Sequence, residues 1–327
     1  MRSASEIESQ VVGMYERYPF PSIADKQRKA EEEMDLRLYF LGITSADYVG
    51  KKILDAGCGT GEYSCWYARR GADVIGVDLC ESSLRQASEY AGKEGLQNIR
   101  FEKGSVLKLN FPDASFDYVY SMGVLHHTPD PYGGFRELCR VLRPNGIIII
   151  SLYNKFGRFR HNMKQLLVRS LAGDDIHKRV AWAQRLFPGT CRALKKNRGE
   201  SDVILFDAFG IPHESQHSIG EVLKWFDRNK IDYLGAFGPA TLRDNLRAFR
   251  RKEIHGFKNY FKGFSFATGA INTLSWAVER FAKQEVDNDV SFSRPPWFSR
   301  GLVQACWFLL GFKFSIFSLA GRKVGNL

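Results

Sequence analysis

The chain has 327 residues, 44% of them hydrophobic and 25% charged, with a formal net charge of +11. It exceeds one typical domain, falls short of two, and has the composition of a globular protein that buries a large core. Its six cysteines lack C-x-x-C pairing and regular spacing, which excludes a disulfide framework or a zinc site and reads as reduced thiols.

The N-terminus, MRSASEIESQ, holds no apolar run behind a basic start, so no signal peptide is expected and the expected location is cytoplasmic. Residues 1–50 are expected to form a strap or lid that includes Tyr15-Glu-Arg-Tyr18-Pro19-Phe20-Pro21. From 51 to 153 the segments 52–56, 73–77, 99–103, 116–121 and 146–153 are rich in β-branched and aromatic residues, as strands are. Segments 62–70, 81–94 and 133–142 lie between them and carry apolar residues at helical spacing. This alternation predicts right-handed βαβ units and an α/β fold with a Rossmann-like, mostly parallel sheet flanked by helices. The run 147–150 is four isoleucines, apolar on both faces as a central parallel strand requires.

After Tyr153 the pattern changes. Residues 154–202 read as a basic helical insertion, and 203–242 as the end of the core fold. Within the latter, 203–209 reads as a short strand, Ser218-Ile-Gly-Glu221 as a capping box opening a helix, and 231–237 as a sixth strand. No seventh strand is evident. Residues 243–327 read as a basic, apolar helical C-terminal extension, first interleaving Arg and Lys with Phe and Tyr over 242–264. Its apolar stretch 301–320 is read first as a helix in the membrane plane or docked on the protein, then as a packed core helix, and last as a span. Lys313 would be costly at mid-bilayer. Net charge is −3 over 1–150, +9 over 151–200, −3 over 201–242 and +8 over 243–327. The positive blocks point to an anionic partner such as a membrane surface, although a solvated basic face would carry the same charge.

The strand at 53–56 leads into Asp55-Ala-Gly57-Cys-Gly59-Thr-Gly61 ahead of a helix. Glycines there let the chain turn sharply and bring its backbone against a ligand, while the helix N-terminus offers free N–H groups. Dinucleotide-binding folds place G-x-G-x-x-G in this position, but here the spacing is G-x-G-x-G behind an acid. Asp55 would disfavour a pyrophosphate and welcome an α-amino group. The next strand ends at Asp78, where a carboxylate can take two ribose hydroxyls.

These residues resemble the class I S-adenosylmethionine (SAM)-dependent methyltransferases over 50–153. Leu54 to Gly61 resembles that family's first motif and Val77-Asp78-Leu79 its second. Phe111 to Asp117 running into Ser121-Met-Gly-Val-Leu-His126-His127 resembles the fourth-strand region, and Glu137 to Gly146 the helix and turn before the fifth strand. The resemblance implies SAM as cofactor. Asp55, Gly57, Gly59 and Gly61 would face its methionine part, Asp78 the ribose, Leu79 the adenine face, and Ser105 and Val106 the adenine edge, with Ser121 also at the cofactor. Where the family often has an acid after the glycine, this chain has Ser105. The strap, with Tyr15 and Tyr18, resembles a lid that some members fold over the cofactor.

His126, at the C-terminal end of the fourth strand, is a candidate catalytic residue, as is His127 beside it. His213-Glu-Ser-Gln-His217 spells H-E-x-x-H, but Pro212 before it and the Ser218 cap after it deny the regular helix a zinc site needs, and no metal is expected. His213 or His217 is a candidate general base with Asp207 or Glu214 as orienter; helix capping explains the segment equally. Tyr18, Tyr153 and Asn154 are candidates for touching the acceptor. The expected function is methyl transfer to a small hydrophobic or amphipathic acceptor (a lipid, quinone-like ring or natural product) by a protein peripheral to the inner face of a membrane. The alternatives are an RNA methyltransferase gripping phosphates with its basic blocks, a non-catalytic SAM-binding protein, and a dehydrogenase. Nucleic acid is the less favoured partner, because no RNA-binding module is evident.

Overall fold

A computed structural model describes residues 3–18, 43–198, 202–237 and 315–325, with the single residues 31, 34, 35, 37, 38, 41, 297, 300, 301 and 304. Helix α1 (Ala4–Arg17) opens on a capping box in which the Ser3 hydroxyl accepts from the Glu6 N–H and the Glu6 carboxylate accepts from the Ser3 N–H. The core then alternates strand and helix: β1 (Lys52–Ala56), α2 (Glu62–Arg69), β2 (Asp73–Asp78), α3 (Glu81–Lys93), β3 (Ile99–Lys103) and β4 (Phe116–Met122). Helix α4 (Pro131–Val141) and strand β5 (Leu142–Tyr153) follow. Asp130 caps α4 by accepting from the Gly133 N–H at 2.8 Å, and Pro131 fills the first helical position, where no N–H is needed.

The basic insertion folds as three helices, α5 (Phe159–Ala172), α6 (Ile176–Leu186) and α7 (Pro188–Arg198). Helix α8 (Ile219–Arg228), with its capping box, and β6 (Ile231–Phe237) return the chain to the sheet. Strand β7 (Ile316–Lys323) completes it. The sheet order is β3-β2-β1-β4-β5-β7-β6, parallel except for β7, which runs antiparallel to both β5 and β6. The mostly parallel, helix-flanked sheet is the one the sequence implies.

Two expectations are corrected. Residues 203–209 are not a strand: Val203–Leu205 is a helical turn that runs into a π turn, Phe206–Gly210. Ile204, Leu205, Phe206, Ala208 and Phe209 are all buried, and a short apolar run buried all round has no periodicity to separate strand from helix. Nor does a helix extend to residue 320. Residues 316–320 belong to β7, with Ser318 opposite Ser151 and Phe237, because β5 and β6 need a strand between them. The final segment is therefore part of the core fold rather than of an appended extension. Residues 242–264, 266–281 and 305–314 lie outside the described residues.

One apolar core covers each face of the sheet, and a third fills the insertion. Since β1 and β4 are neighbours whose following helices lie on opposite faces, the strand order reverses between them. Open α/β sheets place ligands in the crevice at such a switch point. No helix among the described residues is long and apolar enough to cross a membrane.

Candidate active site

The turn after β1 places Gly57, Gly59 and Gly61 at φ of +86°, +52° and +80°. Two of them are glycine for packing. A Cβ on Gly57 would approach Val124 Cβ to 2.8 Å and both its methyls more closely, and one on Gly61 would meet Ala87 Cβ at 2.7 Å. A Cβ on Gly59 would meet nothing within 4 Å, so the space above the middle of the turn is open. That is the cradle a small polar ligand requires at a backbone it must approach closely.

Asp78 closes one side of the cradle. Its carboxylate accepts from the Gly59 N–H and the Cys80 N–H, both at 2.9 Å. Burial raises its pKa, and those two N–H groups oppose the rise. Asp55 lies beneath the turn, buried, and accepts from the Ser64 hydroxyl at 2.6 Å. Burial pushes its pKa up to about 7, against the pull of Ser64 and with help from the nearby Asp78 charge. A carboxylate held this close to neutrality favours a cation beside it.

Helix α1 folds against this edge. The Glu16 carboxylate accepts from the Glu81 N–H at 2.6 Å and from the Ser82 N–H, capping α3 from outside. Glu8 accepts from the Ser105 hydroxyl at 2.7 Å. An acid therefore stands beside Ser105, delivered from the strap. Neither Glu8 nor Glu16 has a sequence signature, because the contact spans 97 residues in one case and 65 in the other. Leu79 is half-buried at the end of β2, Val106 is buried in the main core, and Ser121 is fully buried with no hydroxyl partner among the described residues.

On the other side of the turn, the ends of β4 and β5 meet the insertion in a buried polar cluster. The His126 ring stacks on Tyr153 at 3.7 Å between centroids, and the Arg158 guanidinium lies 3.6 Å over the same tyrosine. Arg158 forms a buried ion pair with Glu214, its Nη2 donating to both carboxylate oxygens at 3.0 and 3.1 Å. Tyr15, from α1, donates to Asp207 at 3.1 Å and meets His127 edge-on. His127 Nδ1 lies 3.2 Å from the His213 carbonyl. Burial lowers the pKa of His126 well below the usual imidazole value, and the charges of His127, Arg158 and His217 lower it further. Burial lowers that of His127 too, while Asp207 and Glu214 oppose it. His126 is fully buried, and neither ring nitrogen has a hydrogen-bond partner among the described residues.

The other candidates are distributed differently. His217 is held at both nitrogens, Nδ1 by Glu221 at 2.8 Å and Nε2 by Ser215 at 2.9 Å, so it joins the α8 cap to the loop before it. The pKa of His213 is lowered by burial, its ring facing the Thr128 backbone. The two histidines of H-E-x-x-H thus serve separate partners on an extended segment rather than one face of a helix. Asn154 Oδ1 accepts from the N–H groups of Phe156 and Gly157, shaping the turn into the insertion, and its Nδ2 has no partner among the described residues. Tyr18 stacks on Phe206 at 4.0 Å and reaches His177 at 3.2 Å, tying the strap to the insertion. The structure therefore gathers Tyr15, His126, Tyr153 and Asn154 at one sheet edge with Arg158, Asp207 and Glu214.

Residues 54–150 match the family model described as a methyltransferase domain. The chain carries a class I SAM-dependent methyltransferase domain. Proteins of this family use SAM. Over 139 residues the chain is 36% identical to methyltransferase GfsG of Streptomyces halstedii, an overlap of 42% of this chain and 49% of that one. It is 40% identical over 223 residues to sterol 24-C-methyltransferase ERG6A of Gibberella zeae, covering 67% and 55% of the two chains. It is 35% identical over 121 residues to the ubiquinone biosynthesis O-methyltransferase of Acinetobacter baumannii, covering 37% and 51%. The chain thus spans about half the length of these curated relatives.

Proposed function

We propose that this protein transfers the methyl group of SAM to a small amphipathic acceptor at a membrane surface. The observation that carries the reading is the junction of two sites at the β1–β4 switch point. An open glycine cradle lies on one side, and on the other the buried polar cluster under the helical insertion would form the acceptor's chamber. The two touch where Val124 packs on Gly57, with His126 two residues further on. The relatives named for a sterol and for ubiquinone biosynthesis support an apolar acceptor.

SAM supplies an electrophilic methyl on a sulfonium; the chain has to place it, align the acceptor and remove a proton. Gly59 would let the backbone approach the methionine part, with Gly57 and Gly61 packing the turn beneath it, Asp55 near its ammonium, Asp78 at the ribose, and Leu79, Ser105 and Val106 around the adenine. Ser121 would lie beneath the cofactor, and Tyr15 would close the strap over it. Tyr153 and Asn154 would meet the acceptor. His126 would take the acceptor's proton: burial keeps it neutral and neither ring nitrogen has a partner among the described residues, while the same burial makes it a weak base. His217, engaged at both nitrogens, is less suited to that task than His126.

Two results test this. His126→Gln is expected to lower transfer from methyl-labelled SAM by about 100-fold or more while SAM affinity stays within about threefold. Transfer at the wild-type rate would remove His126 from the chemistry. Glu8→Ala is expected to weaken SAM binding about tenfold or more, as loss of one charge-assisted hydrogen bond does. An unchanged Kd by calorimetry would take α1 out of the cofactor site.

A further inference from the structure

Helix α5 is built inside out. Its inner face is largely polar: His161 and Gln165 reach the Ala208 carbonyl at 3.0 and 2.7 Å, and Arg169 reaches that of Ile211 at 3.1 Å. Val168 is its one fully buried aliphatic residue. The large apolar side chains face away. Met163, Leu166, Leu167 and Leu171 are 51%, 62%, 44% and 48% exposed. At about 100° per residue they share an arc of roughly 140° on one side of the helix.

A soluble surface scatters such residues singly; four on one side of a single helix mark a contact. Its surroundings say with what. Arg160 lies within the arc between Leu167 and Leu171, Lys164 lies just beyond Leu171 and donates to the Thr190 hydroxyl, residues 155–173 contain no Asp or Glu, and the block 151–200 carries +9. An apolar face with a cationic border and no acid suits the interface of an anionic bilayer, where the side chains enter the acyl boundary and the cations meet headgroups. The helix starts at Phe159, immediately after Arg158, which packs over Tyr153 inside the chamber.

We infer that the outer face of α5 docks this protein on anionic membranes and sets its acceptor chamber against the lipid. The use of the docking rests on the methyltransferase reading, but the docking itself is measured apart from it. The full chain is sedimented with phosphatidylcholine vesicles that contain or lack phosphatidylglycerol, and SAM binding is titrated on the same preparations without lipid. Wild-type protein is expected to bind the phosphatidylglycerol vesicles in a salt-sensitive way. Leu166→Glu/Leu171→Glu is expected to weaken that binding at least about tenfold with SAM affinity unchanged, since both side chains are solvent-exposed.

Three results would overturn the docking. In one, the double variant binds vesicles like the wild type. In another, the protein ignores vesicles and binds single-stranded RNA. In the last, the wild type is a dimer that the double variant dissociates, which makes the stripe a self-association face. Vesicle binding that follows the expected pattern in a protein that does not bind SAM would leave the docking standing and remove the proposed activity.

Discussion

Gly59→Arg is expected to weaken SAM binding at least about 100-fold, the equivalent of roughly 2.8 kcal/mol, in a protein that remains folded. The φ of +52° at this position lies where an L-residue costs about 1 kcal/mol, and a side chain there leaves into open space. The Tm is expected to fall by no more than about 4 °C. Gly57→Ala, two residues earlier, should do the opposite. Its φ is +86°, and its new methyl would drive into the branched Val124 side chain, which has no way to yield without moving the end of β4. Strain and overpacking together should cost about 3 kcal/mol and lower the Tm by roughly 5–10 °C. The pair separates a glycine that makes room for a ligand from one that makes room for the fold. Thermal unfolding alongside calorimetry reads both; SAM binding retained by Gly59→Arg would place the cofactor elsewhere.

The same contrast marks how far the sequence was legible. Strands β1 to β5 and their helices could be read because each has a strong local pattern, such as the isoleucine run of β5 or the glycines after β1. The chain-order position of Asp78 was equally legible, since it ends a strand at a fixed distance from the turn. Strand β7 was not. Buried on both faces between β5 and β6, its Phe317, Leu319 and Ala320 present one apolar run, which reads equally as helix. Residues 203–210 failed for the same reason in reverse. The chamber was half legible: His126, Tyr153 and Asn154 sit at strand ends, where ligands are expected. Arg158 and Glu8 act through contacts across 56 and 97 residues, which no spacing rule encodes. The α5 stripe was hidden differently. Its periodicity is plain, but only the fold reveals that the apolar side is the outer one.

Asp55 carries a large expected pH effect. With burial holding its pKa at about 7, against 3.8 for the free side chain, the folded protein keeps a proton that the unfolded chain releases. A folded pKa raised in this way contributes stability that is fully present below pH 3.8 and is lost as pH rises through about 7. Wild-type protein without cofactor should therefore lose on the order of 3 kcal/mol from this group between pH 4 and 7.5, on top of whatever other groups contribute. Asp55→Asn, which keeps the shape and can still accept from Ser64, should remove that loss and be the more stable protein at pH 7.5. Cofactor binding should reverse the preference. An ammonium beside Asp55 favours the ionised carboxylate, so SAM affinity should rise roughly 20-fold from pH 5.5 to 7.5, with proton release on binding at the acid end. In Asp55→Asn that dependence should flatten, and affinity at pH 7.5 should drop about tenfold or more. Denaturant titrations of the two proteins across pH, with calorimetry in two buffers of different ionisation enthalpy, measure both halves. A wild-type affinity that does not change over this range would mean that the ammonium is held by something other than Asp55. In that case, the strained acid beneath the turn would serve the fold alone, at a cost in stability that Asp55→Asn would still expose.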